Sequence, residues 1–256
     1  MNYKIIVLAI IYPVLFLAEH FNPNYFPRLH HLRHSVYNLS ISLLNGLIGL
    51  LIISGVNQYL AGIIRVNDLG LMNLQDIPAW LRYVLAFLLF DLWMYVWHMA
   101  NHRIPFLWLF HRSHHNDTEM DGSTALRFHP LEILISGSLR IPVFILLGMN
   151  ITALAMYEAV FLGCTLFEHS NIKLSAPADR IIRIFLVTPD MHRMHHSAEM
   201  KEYNSNYSSV LSVWDRLFKT FTRWGDTRLV KIGLPFYREE KWQEPIGMLM
   251  LALKGS

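Results

Sequence analysis

The stretch 79-AWLRYVLAFLLFDLWMYVWHMANHRIPFLWLFHRSHH-115 decides the fold. Residues 79–100 are almost wholly apolar and match the roughly 20 residues a helix needs to cross hydrocarbon. The run ends in His98-Met-Ala-Asn-His102, and His111-Arg-Ser-His114-His115 follows after a short apolar stretch. An H-x-x-x-H pair at a helix end, followed by H-x-x-H-H, delivers several imidazoles to one membrane surface. Asp91, Tyr95, His98 and His102 are offset by 4, 7 and 11 residues and form one helical stripe. A carboxylate inside an apolar span is costly and faces a polar interior, so Asp91 is expected to lie behind a ligating imidazole, with Tyr95 beside it.

Composition around this stretch agrees with a membrane protein. Of 256 residues, 53% are hydrophobic and 16% charged, against about 25% charged in ordinary soluble domains. A disordered chain, a disulfide scaffold and most soluble enzymes are excluded. Further apolar segments run from Tyr3 to Ala18, Val36 to Ile64, Leu131 to Gly148 and Ile151 to Phe167. The first reads as a retained helix rather than a signal peptide. The second spans with tilt or breaks near Ser54-Gly55, and the last two form a hairpin through Met149-Asn150. Ile246–Leu253 reads as an interfacial segment. Cys164 is the one cysteine and reads as a small core hydrophobe. The chain is expected to be a single all-α membrane domain, 1–256, with N-terminal membrane helices over 1–78, a catalytic core over 79–221 and a polar or interfacial tail over 222–256.

Counting crossings places everything from His98 onward on one membrane face, because the hairpin goes across and returns. Thirteen of the 22 Lys/Arg follow residue 170, interleaved with nine Asp/Glu, and lie on that face. Positive residues favour the cytoplasmic side. Their interleaving leaves no basic stripe for nucleic acid, and lipid head groups are the expected neighbours.

Ten of the 14 histidines lie between His98 and His196, and His192-Arg-Met-His195-His196 repeats the H-x-x-H-H pattern. Neutral imidazole is the commonest ligand for zinc, copper and non-haem iron. Eight histidines in three boxes exceed one tetrahedral ion, so the number argues for two. His169 ends a helix, where it is a ligand or a dipole partner. His129 precedes Pro130 and is a ligand or the start of the next helix. His30-His31-Leu32-Arg33-His34 is read as interfacial and topogenic, as is His20. Protease, lipase and nucleotide motifs are absent from the sequence.

The order of the three boxes resembles that of the fatty acid hydroxylase / sterol desaturase superfamily of integral-membrane di-iron oxygenases. Leu107–His111, Phe128-His129-Pro130-Leu131-Glu132, Phe167-Glu168-His169-Ser170-Asn171, Asn206-Tyr207 and Trp214–Phe218 are similar to the family pattern as well, so the likeness covers roughly Leu85 to Phe221. The resemblance implies a four-helix membrane core capped by a cytosolic histidine-rich metal site. It implies two iron ions held by His98, His102, His111, His114, His115, His192, His195 and His196, with His169 and His129 as further ligands and Asp91, Tyr95 and Asn171 in the layer behind them. It also implies O2 as co-substrate and hydroxylation of an unactivated C–H bond of a lipid. Desaturation through the same site is the alternative. No His-Pro-Gly-Gly motif is present, so a separate cytochrome b5-like or ferredoxin-like donor is expected. Zinc competes for such ligands. A divalent-metal transporter and a lipid-binding protein with structural zinc are the readings from other classes. A bacterial inner membrane is preferred over the endoplasmic reticulum.

Overall fold

In the computed structural model, which describes residues 3–24, 31–73, 76–223 and 226–254, apolar runs become helices whose backbone polar groups are satisfied internally, as hydrocarbon requires. The first three are Tyr3–Phe21 (α1), His31–Val66 (α2) and Ala79–Arg103 (α3). Pro105–His115 (α4) is short, starts on a proline and lies at the end of α3. Pro130–Leu147 (α5) and Ile151–His169 (α6) form the expected hairpin. Among the described residues, five helices are thus long and apolar enough to cross a membrane, one more than the resemblance implies. The additional one is α1, which runs parallel to α6, with Lys4 Nζ 2.9 Å from Glu158 and Glu19 bonded to Asn171.

No break occurs at Ser54-Gly55. Instead α2 is continuous for 36 residues, with a π-helical turn at Gly49–Ile53 just before that pair. A helix of that length is about 54 Å long, more than the roughly 30 Å of hydrocarbon, and its first turns stand in the cap beside the loop of residues 116–129. The apolar core lies between α2, α3, α5 and α6. There Tyr157 sits edge-on against Phe87 and Phe90 at 5.3 and 5.0 Å.

The far end closes through glycine. Gly148 terminates α5 in the left-handed region (φ +69°), and Leu71 and Met72 donate to the carbonyls of Leu146 and Leu147. A Cβ on Gly148 would lie 2.5 Å from the Leu69 carbonyl. Gly148→Ala is therefore expected to cost more than the roughly 1–2 kcal/mol of left-handed strain alone, measured as a lowered Tm of detergent-purified protein.

At the opposite end, residues 105–129, 170–223 and 226–254 fold over the bundle. Pro245–Leu251 is a helix whose Met248 and Leu251 are buried, while Ile246 and Leu253 point outward. Arg112 donates to the Leu251 carbonyl at 2.6 Å and Ser113 to that of Met248 at 3.1 Å, so this tail segment also braces α4.

Candidate metal centre

The three boxes come from the end of α3, from α4, and from the short helix Pro189–His195 with His196 at its C-terminus. With His169 at the end of α6, they assemble nine imidazoles into two adjacent groups. His98, His102, His111, His115 and His195 form one; His114, His169, His192 and His196 form the other. Within each group one nitrogen per residue lies within 4.8 Å of all the others.

Helical geometry explains the H-x-x-H-H pattern. Residues i and i+4 share a face, and the residue between them at i+3 is rotated away by about one residue's turn from i+4. Thus His111 and His115 serve the first group while His114 turns to the second. The other box does the converse: His192 and His196 serve the second group and His195 the first. Each box therefore builds both groups, and the groups touch, with the His115 and His196 rings stacked at 4.3 Å. His98-x-x-x-His102 completes five imidazoles on one side, and His169 completes four on the other.

The layer behind fixes the tautomers. His98 Nδ1 donates to the Tyr207 carbonyl (2.8 Å), His114 Nδ1 to that of Arg127 (3.2 Å), His169 Nδ1 to that of Thr165 (2.7 Å) and His195 Nδ1 to that of Ser205 (2.7 Å). Carbonyls only accept, so the proton sits on Nδ1 and the Nε2 lone pair is left for the centre. His111 Nδ1 faces Glu132 at 2.8 Å. Glu132→Gln is expected to lower metal affinity by about 10–100-fold, read by competition with a metallochromic chelator.

The inner nitrogens have no other use. His102, His111, His115 and His195 Nε2 are buried without hydrogen-bond partners. Leaving each so would cost about 1–3 kcal/mol. In the second group the Nε2 atoms of His114–His169, His169–His192 and His192–His196 are 3.1, 3.0 and 3.2 Å apart, close to the separation of roughly 3.3 Å for imidazoles bound tetrahedrally at about 2.0–2.1 Å from an ion. Burial, reinforced by neighbouring imidazoles, holds His114, His115, His192 and His196 well below the usual histidine range. Burial also lowers His195 to about 3. All are neutral imidazoles at physiological pH. An all-imidazole donor set suits iron, zinc, copper or nickel, and five donors exceed a closed tetrahedral zinc site.

Several expected neighbours stand elsewhere. His129 belongs to neither group; its Nδ1 accepts from the Leu131 N–H and caps α5. Asp91 accepts from Tyr157 Oη, Trp214 Nε1 and the Leu211 N–H rather than from an imidazole, so it ties α3 to α6 and the cap. Tyr95 donates to Thr220, which donates to Asp215, which accepts the Tyr207 N–H; Tyr95 is thus linked to His98 indirectly, by way of Tyr207. The Asn171 N–H holds Glu19. His30 lies outside the described residues. His31 and His34, expected at the interface, are buried: His34 Nδ1 lies 2.9 Å from Asp121 and its Nε2 2.8 Å from Asp117. Acidic partners more than 80 residues downstream leave no local signature beside His34. Glu132 also gives no local signal of this contact, since a carboxylate in the first turn of a helix reads as a dipole partner.

Known proteins are similar to this chain over the segment that carries the boxes. The fatty acid hydroxylase family model matches residues 83–220. An ornithine lipid hydroxylase of Rhizobium tropici is 32% identical over 146 residues, 56% of this chain and 43% of that protein. Alkylglycerol monooxygenase of Homo sapiens is 28% identical over 151 residues, 59% of this chain and 33% of that protein. Cholesterol 25-hydroxylase of Homo sapiens is 24% identical over 135 residues, 52% of this chain and 48% of that protein. The chain thus spans less than half the length of each. No solved structure matches.

Proposed function

From the premise that the chain belongs to the fatty acid hydroxylase family, we propose that it is a membrane-bound di-iron oxygenase that hydroxylates an unactivated C–H bond of a lipid with O2 and two external electrons. The observation that carries this is the cross-connection of two H-x-x-H-H boxes into adjacent all-imidazole groups at the end of a membrane bundle. We assign the nine grouped histidines as ligands. Bound iron would supply O2 activation and hydrogen abstraction.

The chain's own residues supply geometry and exclusion of water. Eight of the nine histidines are buried, and His102 is the one that is partly exposed. Beside it Trp108 stacks on Tyr203 at 5.3 Å and lies 5.1 Å from the His102 ring. This edge is where an acyl or sterol-like chain would enter from the bilayer, with the aromatic pair holding one carbon against the first group. Trp108→Ala is expected to raise KM for lipid substrate by about tenfold or more, with metal content unchanged, since a large ring contributes roughly 1.5–3 kcal/mol of apolar contact.

The histidine face is assigned to the cytoplasm on the thirteen Lys/Arg after residue 170. A separate cytochrome b5-like or ferredoxin-like protein would deliver electrons there, and a bacterial inner membrane is the preferred setting. The test is lipid mass spectrometry of cells expressing the parent or His111→Ala. Lipids heavier by one oxygen atom with the parent alone support hydroxylation; lipids lighter by two hydrogens favour desaturation. No change in any lipid, in cells where the purified parent holds iron and consumes O2, would overturn the lipid assignment.

A further inference from the structure

A second metal-ligating cluster lies outside the histidine groups. Glu19 ends α1, His31 begins α2, and Asp121 sits in the loop after α4; all three are at least nine-tenths buried. Each offers one ligand atom, and the three atoms lie within 4.8 Å of one another. His31 Nε2 is 3.5 Å from Glu19 Oε2 and 3.5 Å from Asp121 Oδ2, yet it is buried with no hydrogen-bond partner. Ligands on one ion at about 2.0–2.2 Å are roughly 3–3.5 Å apart, so the spacing suits a shared cation better than a hydrogen-bonded pair.

The carboxylates are oriented for that role by the loops. Glu19 Oε1 accepts the N–H groups of Gly122 (2.8 Å) and Asn171 (2.7 Å), which turns Oε2 toward His31. Asp121 Oδ1 accepts from the Ser123 N–H (2.8 Å) and Oγ (2.5 Å), which turns Oδ2 the same way. His34 bridges Asp117 and Asp121, and Arg127 is buried as well.

The geometry points to a third cation site, Glu19–His31–Asp121, that binds a divalent ion preferring oxygen ligands and staples α1 and α2 to the loop following His115. Two carboxylates and one imidazole favour Mn2+ far more than the all-imidazole groups do, which gives a selective probe. This assignment goes beyond the oxygenase, and its failure leaves that reading intact.

The test is equilibrium dialysis of the full-length purified protein, with its iron, against MnCl2, followed by manganese analysis and pulsed EPR of the bound ion. The expected result is one Mn2+ per chain carrying the coupling of a single imidazole nitrogen. Glu19→Gln and His31→Gln should weaken binding by about tenfold or more, and His195→Ala should leave it unchanged. Absence of bound Mn2+ in the folded parent would overturn the site. Binding that survives both substitutions, or that is lost in His195→Ala, would also overturn it. Should either variant fail to fold, a parent spectrum without one nitrogen coupling contradicts the assignment by itself.

Discussion

His195→Ala is expected to lower reductant-dependent O2 consumption by at least about 100-fold and to take iron from two ions toward one per chain. Partners behind a metal ligand already cost about 10–100-fold when removed, and a ligand costs more. The informative part is which variants it resembles. His195 sits in the box of His192 and His196 but turns its Nε2 to His98, His102, His111 and His115. Its loss should therefore reproduce the loss of His98 or His102, and His114→Ala should reproduce the loss of His192. Iron stoichiometry across those five single variants checks this. If variants grouped by box rather than by face, the cross-connected arrangement would be wrong.

The second large effect concerns Asp117, two residues past the box of α4. Its carboxylate is fully buried, accepts from His34 at 2.8 Å and from Thr124 Oγ1 at 2.7 Å, and receives the Glu119 N–H. Asp117→Ala strands His34 and Arg127 without that carboxylate, and removal of one member of a buried charge network costs about 3–5 kcal/mol. A fall in Tm of roughly 6–20 °C is expected by scanning fluorimetry in detergent. Acid should act at the same place. Burial alone would raise the Asp117 pKa, but the charge and hydrogen bonds of His34, helped by Arg127, hold it well below the usual carboxylate range. A folded-state pKa that is depressed gives stability present above the unfolded value, near pH 3.9, and lost as pH falls through the folded one. The parent should thus lose stability below about pH 4, and Asp117→Asn should lose less over that interval. A parent and variant with the same acid dependence would remove Asp117 from the network.

Much of this was legible from spacing. The apolar runs gave the spans, and the boxes pointed to a metal-binding surface at their ends, because periodicity and ligand spacing are local. The exchange of faces within each H-x-x-H-H was implicit in the same arithmetic but needed a partner box to have meaning. What remained hidden depends on contacts distant in sequence. Asp91 looked like a ligand's neighbour because it shares a stripe with His98, whereas tertiary packing gave it Trp214 and Tyr157. His31 and His34 looked like interfacial histidines because their neighbours in sequence are Leu32 and Arg33, while Glu19, Asp117 and Asp121 arrive only on folding. His129 had two readings, and the cap on α5 is the geometry observed.

The most direct measurement is the Mössbauer and X-ray absorption spectrum of iron-57-loaded protein purified in detergent. Two irons per chain in distinct environments, both ligated mainly by imidazole nitrogen, with one environment lost in His195→Ala and the other in His114→Ala, is the predicted result. A single iron environment, or iron whose nearest neighbours are unchanged in both variants, would contradict it.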